Sequence, residues 1–262
     1  MRALHTAATG MMAQELNVQV ISNNIANMRT TGYKRQRAEF QDLLYEHVRR
    51  VGTQTSEQGN LLPAGVELGS GVKTVGTPRL MTQGAILTTG KETDVAIRGE
   101  GIFPITMPDG RTAYTRDGSF ALDATGRLVT ANGNVVQPTI TIPANATGLT
   151  INAQGQVMVT PAGSTTPTQA GQIQVAIFVN KSGLQGIGDN LFLETPASGN
   201  AQLGTPSTLG YGSLLQSSLE QANVEAVSEI SDLIAAQRAY EMNAKVVSAA
   251  DQMLQSTSGM MR

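Results

Sequence analysis

Cysteine is absent from all 262 residues, which excludes disulfides, thiolate metal sites and a cysteine nucleophile. Tryptophan is absent too, and charged residues make up only 15% of the chain. A surface so weakly charged suits packing against copies of itself better than solvation alone. The net charge of −2 supplies no global field for DNA, RNA or anionic lipid. No run of about 18 apolar residues exists, so no membrane-spanning helix is expected. Met1-Arg2-Ala3-Leu4-His5 opens with one basic residue but no uninterrupted apolar core follows, so a cleaved secretory signal is not expected.

Groups able to exchange protons or coordinate metal are equally scarce. The two histidines, His5 and His47, fall in no metal-ligand spacing. Gly69-Ser70-Gly71-Val72-Lys73-Thr74 imitates the end of a phosphate-binding loop, but Val72 stands where that motif needs Gly before Lys. Gly99-Glu100-Gly101 lacks the third glycine of a dinucleotide site. Asp109, Asp117 and Asp123 could supply an acid–base pair, yet each lies where Asp ordinarily supports a turn. Arg29, Lys34, Arg35, Arg37, Arg49 and Arg50 form a basic cluster, diluted by Glu39, Asp42 and Glu46. A solvated or intersubunit face explains it better than phosphate binding. No cofactor, metal or nucleic acid is implied.

What the chain does have is periodicity at its ends. Leu4, Met11, Val18 and Ile25 recur every seven residues, with Ala7, Ile21 and Met28 at the paired position. This predicts a helix of about 25 residues, about 38 Å long, with Thr31-Gly32 as its stop. At the other end Leu219, Ala226, Leu233, Tyr240, Val247 and Leu254 keep the same interval, paired with Ile230 and Ala244 and interrupted by Gln237 and Asp251. Met242, Val246, Ala249 and Met253 lie beside them, and no Gly or Pro breaks residues 213–258. Residues 1–50 hold seven Lys/Arg against four Asp/Glu, and residues 217–262 three against six. Opposite signs favour pairing of the ends, within one chain or between chains.

Between the ends the pattern changes to short β-rich runs separated by turn signals: Pro108-Asp109-Gly110, Asp117-Gly118 and Asn132-Gly133. The expected fold is mixed α and β. Helical segments at 1–38 and 213–262 form a coiled-coil-like inner domain. Residues 39–71 are an extended connector, and residues 72–212 an antiparallel β sandwich or barrel.

Several motifs carry a family resemblance. Ser22-Asn23-Asn24-Ile25-Ala26-Asn27 with Thr31-Gly32-Tyr33-Lys34-Arg35 resembles the N-terminal signature of flagellar rod and hook proteins. Ala222-Asn223-Val224-Glu225, with the run from Leu233 to Asn243, resembles their C-terminal signature. Gly99-Glu100-Gly101-Ile102-Phe103 and Tyr114-Thr115-Arg116-Asp117-Gly118-Ser119-Phe120 resemble β-domain motifs of that family, although Ile102 stands where it usually shows an aromatic. Length and the stretch from Tyr45 to Thr74 are most similar to the branch that builds the distal rod.

The resemblance implies a structural subunit, exported by the flagellar type III apparatus without signal cleavage. Such subunits stack helically into a rigid drive shaft that crosses the periplasm in the basal body and carries torque to hook and filament. The implied neighbours are further copies of the chain, proximal rod proteins, hook protein and the L- and P-ring proteins. Subunit contacts are then expected at Leu4, Met11, Val18, Ile21, Ile25 and Met28, with Asn23, Asn24 and Asn27 hydrogen-bonding across subunits. On the C-terminal helix they are expected at Ile230, Leu233, Gln237, Tyr240, Asn243, Val247 and Leu254. The alternatives are another axial protein (proximal rod or hook), a secreted cell-wall-binding module, or a polysaccharide hydrolase using the Asp109–Asp123 cluster.

Overall fold

The computed structural model describes residues 2–51, 64–163 and 166–260. The chain divides into two compact units, each discontinuous in sequence. The first comprises Met1–Ile25, Gln36–Pro78 and Glu225–Arg262, and the second Ala26–Arg35 and Arg79–Val224. No helix among the described residues is long and apolar enough to cross a membrane.

The first unit is built on the helices α1, Arg2–Ala26, and α2, Ala226–Met260. Neither contains proline, and good helix formers dominate both. They meet antiparallel, since Asn24 contacts Glu229 while Gly10 faces Asn243. Ala7, Ala13, Val20, Ile21 and Asn24 are the buried positions of α1. On α2 the buried positions are Glu229, Ala236 and Ala250, with Asn243 half-buried between them.

Two expectations about this end of the chain are corrected. The helix begins at Ala226, not near residue 213. Ser213–Gln216 and Ser218–Glu220 are instead strands of the second unit, hydrogen-bonded to Val95–Arg98 and Ile86–Thr88. Pairing partners far away in sequence override a locally helix-compatible stretch. The face that α2 turns to α1 is also offset by one residue. Glu229, Ala236, Asn243 and Ala250 occupy the position expected for Ile230, Gln237 and Ala244. Small side chains on both helices make this the closer approach: a Cβ added to Gly10 would lie 2.9 Å from Asn243 Nδ2.

The described part of 39–71, expected to be an extended connector, contains paired strands. Glu39–Asp42 pairs antiparallel with Val72–Gly76, and Tyr45–Arg49 with Val66–Gly69. Tyr45–Arg49 and Val66–Gly69 are exposed at every residue, so neither strand has a buried face. The rest of the expected connector, residues 52–63, lies outside the described residues. Gly71 sits against Thr9 at φ +114°.

The second unit is antiparallel throughout its strand pairs. A seven-stranded sheet runs in the order Gln185–Gly188, Leu191–Leu193, Thr112–Thr115, Phe103–Thr106, Val135–Val136, Leu128–Val129, Ala121–Leu122. Ala146–Ile151, Gln156–Pro161 and Thr168–Gln172 form a three-stranded sheet. None of the sheets among the described residues closes into a barrel. Inward residues of these strands make one core, in which Phe103 packs edge-on to Phe120 at 5.1 Å. Ile102 joins a second cluster with Tyr114 and Phe178. Asn132-Gly133 and Pro108-Asp109-Gly110 turn as expected, with Gly133 and Gly110 at φ +83°. Asp117-Gly118 does not make a hairpin. Gly118 is required because a Cβ there would overlap the Val95 carbonyl oxygen.

Candidate assembly surfaces and the joint that supports them

The segments flanking the two helices are tied to the β-rich unit by buried charge. Lys34, 2% exposed, places its Nζ 2.6 Å from Glu220 Oε1 and 2.7 Å from the Thr82 carbonyl oxygen. Arg116 donates from Nε to Glu220 Oε2 at 2.5 Å, and from its other nitrogens to the carbonyls of Ile97, Gly99 and Gly101. Gly84 N–H also donates to Glu220 Oε1. The strand Ser218–Glu220 aims the carboxylate inward, and Glu220 O accepts from Gly32 N–H. Gly32, at φ +67°, lies so close to the Arg116 backbone that a Cβ would come within 2.7 Å of it. Burial is the larger influence on both groups. It pushes the Lys34 ammonium below its usual value despite the partner. It also pushes the Glu220 carboxyl up, but Arg116 and Lys34 together outweigh it and leave that group below the usual range.

A second joint is made by amides. Asn223 Oδ1 accepts from Arg35 N–H, and its Nδ2 donates to the Leu80 carbonyl and Thr82 Oγ1. In the helical unit Asn24 Oδ1 accepts from Gln36 N–H at 2.9 Å, while Nδ2 donates to Gln36 O at 2.9 Å and Glu229 Oε2 at 3.1 Å.

The helix pair leaves its better apolar surface uncovered. Toward α1, α2 presents Glu229, Ala236, Asn243 and Ala250. On the outward side Val227, Ile230, Ile234 and Met242 are all exposed, Val227 at 74%, while Val246 lines a recess with α1 beside Asn243 and Met253 follows one turn after Ala250. An Arg238–Glu241 ion pair interrupts that stripe.

Three family descriptions match the chain in order. "Flagella basal body rod protein" matches residues 4–34, "Flagellar hook protein FlgE/F/G D1 domain" residues 96–159, and "Flagellar basal body rod FlgEFG protein C-terminal" residues 215–260. The chain is 57% identical to the flagellar basal-body rod protein FlgG of Caulobacter vibrioides over 98% of both chains. It is 50% identical to that of Agrobacterium fabrum over 97% of both, and 36% identical to that of Bacillus subtilis over the whole of both.

The chain belongs to the flagellar basal-body rod protein FlgG family.

It is therefore a structural subunit of the flagellar distal rod and not an enzyme. Lys34, Arg116 and Glu220 come one from each of the three segments that carry the family match, and they meet in one cluster. The basic cluster read as a solvated or intersubunit face is thus corrected at Lys34, which is an internal ion-pair partner.

The remaining expectations about rod contacts divide by burial. Ile21 and Asn24 are buried within the helical unit. Leu4, Met11, Val18, Ile25, Leu233, Asn243 and Val247 are half-buried there, and Asn27 is half-buried in the second unit. Asn23, Met28, Ile230, Gln237, Tyr240 and Leu254 are exposed. Both Asn24 donors and its acceptor are engaged inside the unit. Sequence reasoning missed the Glu220 cluster, since nothing local marks a carboxylate in a strand as buried.

Hydrolase geometry finds no support in the carboxylates. The Arg111 backbone N–H and side chain hold Asp109 below its usual value. The Thr125 hydroxyl and Arg127 do the same to Asp123, and Asp117 accepts from Ser119 N–H. A general acid needs its pKa raised. His47 pairs with Glu67 at the exposed ribbon, and no cluster of three metal-binding side chains occurs among the described residues.

Proposed function

We propose that the rod is built by helical stacking of this subunit through the terminal helices. The outward stripe of α2 packs against another copy, and the helices form a coiled-coil-like inner layer of the polymer. The observation that carries this reading is the inverted amphipathicity of α2. Its face toward α1 is small and polar, while the opposite face bears Val227, Ile230, Ile234 and Met242. A helix that withholds its apolar stripe from its own chain is built to bury that stripe elsewhere. Heterologous contacts of this kind do not close, and they propagate into a filament.

The polymer is a drive shaft that transmits torque to hook and filament. It crosses the periplasm, with proximal rod proteins below, hook protein above and the L- and P-ring proteins around it. Subunits reach it through the type III export apparatus without loss of the N-terminus. The test is electron microscopy of purified subunit under assembly conditions, comparing the natural chain with Ile234→Asp/Met242→Asp. The natural chain forms rods; the variant stays monomeric with unchanged β-unit melting. Rods formed equally by the variant would remove the stripe from the contact.

A further inference from the structure

The Lys34 side chain is 1% exposed, and two of its three N–H donors are engaged, by Glu220 Oε1 and the Thr82 carbonyl. The third has no protein acceptor among the described residues. Arg116, 8% exposed, is in the same position. It donates from Nε to Glu220, from Nη1 to Gly101 and from Nη2 to Ile97 and Gly99, which leaves one N–H on Nη1 without a protein acceptor among the described residues. Both side chains line one recess of about 20 Å³ inside the second unit. Phe178 and Phe192 supply apolar wall, and the partly exposed Lys181–Glu100 ion pair also borders it.

Size and charge together define the occupant. A single water needs about 10–15 Å³ of such space, so the recess holds one particle of about that size and no larger ligand. Lys34 and Arg116 face one carboxylate, so the buried cluster carries an excess of one positive charge. Both Glu220 oxygens are already taken, and Lys181 matches Glu100. A water has to donate as well as accept, yet the bordering carbonyls of Gly101, Ile102 and Ala176 each hold a donor already. A particle that only accepts, and carries one negative charge, satisfies the spare donors and the excess charge at once.

We propose that this recess binds one monatomic anion, chloride, through charge-assisted hydrogen bonds from Lys34 Nζ and Arg116 Nη1. The anion balances the charge of the cluster that fastens both helix-flanking segments to the β-rich unit, and that unit gains stability with chloride by mass action. It also offsets the burial that holds the Lys34 ammonium below its usual value.

The experiment is thermal melting of the full chain in NaCl, with sodium gluconate keeping the ionic strength fixed, paired with chloride NMR line broadening. Gluconate is too large for the recess. Lys34→Gln removes one cation and keeps an N–H donor. Glu100→Gln, at an exposed side chain, leaves Lys181 unmatched and makes the recess more positive. Saturable chloride binding is expected, with melting of the β-rich unit raised in step. Affinity falls about tenfold in Lys34→Gln and rises about threefold in Glu100→Gln. Absence of broadening, with equal melting in chloride and gluconate, means that water alone fills the recess and overturns the proposal. Equal chloride affinity in all three chains also overturns it, by placing the ion elsewhere. Should Lys34→Gln fail to fold, Glu100→Gln decides, and affinity no tighter than that of the natural chain overturns the site.

Discussion

Lys34 Nζ and Glu220 Oε1 lie 2.6 Å apart although 186 residues separate them in sequence. With Arg116 on the other carboxylate oxygen, the pair fastens the segment leaving α1 and the strand preceding α2 to the β-rich unit. Such a cluster is a means of specifying position more than of adding stability, because desolvation offsets much of the attraction. Removing one partner is another matter.

Glu220→Gln leaves Lys34 and Arg116 as two buried cations facing a neutral amide. The expected loss is about 3–5 kcal/mol of β-unit stability, measured by urea unfolding. A loss below about 1 kcal/mol would show that the cluster is solvated.

The same carboxylate gives the unit an acid limit. The folded state holds Glu220 below its ordinary value of 4.5, so the unfolded chain binds more protons as pH falls through that range. Stability from this group is complete above about pH 4.5 and lost below it. Thermal melting from pH 7 to pH 3 checks this: Glu220→Gln flattens part of the acid decline, and an unchanged profile counts against the assignment.

Limited proteolysis of free subunit tests where order begins. Residues 26–35 and 213–224 belong to the β-rich unit, so both stay protected when the helices are digested. A nick within residues 36–78 leaves the peptide bearing Lys34 attached to 79–224 through gel filtration, as mass spectrometry reads it. Release of that peptide from natural protein would contradict the structure.

The close approach of α1 and α2 is tested at Gly10. Gly10→Leu drives a side chain into Asn243 and costs about 1–3 kcal/mol in the helical unit by overpacking. The melting of the β-rich unit stays unchanged. Assembly weakens in sedimentation, and normal assembly would free that contact of any role.

The two long helices were legible because heptad spacing is local information, and Ile21 duly lies buried in the helix pair. The turns at Gly110 and Gly133 were legible for the same reason. The one-residue offset of the α2 face was not, since periodicity ranks apolar residues and the contact selects small ones, as at Ala236. Nor was the start of α2: Ser213–Gln216 becomes strand only because Val95–Arg98 waits 118 residues upstream of it. The exposed ribbon Tyr45–Arg49 has no buried face to read. Of the exposed apolar residues on the outward side of α2, the heptad includes Ile230 but not Ile234.

Asn24 imitates a peptide bond. Its amide meets the N–H and C=O of Gln36 as a neighbouring strand would, and so supplies one rung of a ladder from the side of a helix. Gln has the right groups but reaches one methylene too far. Asp keeps the acceptor, loses both donors and sets a second negative charge against Glu229. Spontaneous deamidation of this one residue would therefore undo, without any mutation, the hold of α1 on the returning chain.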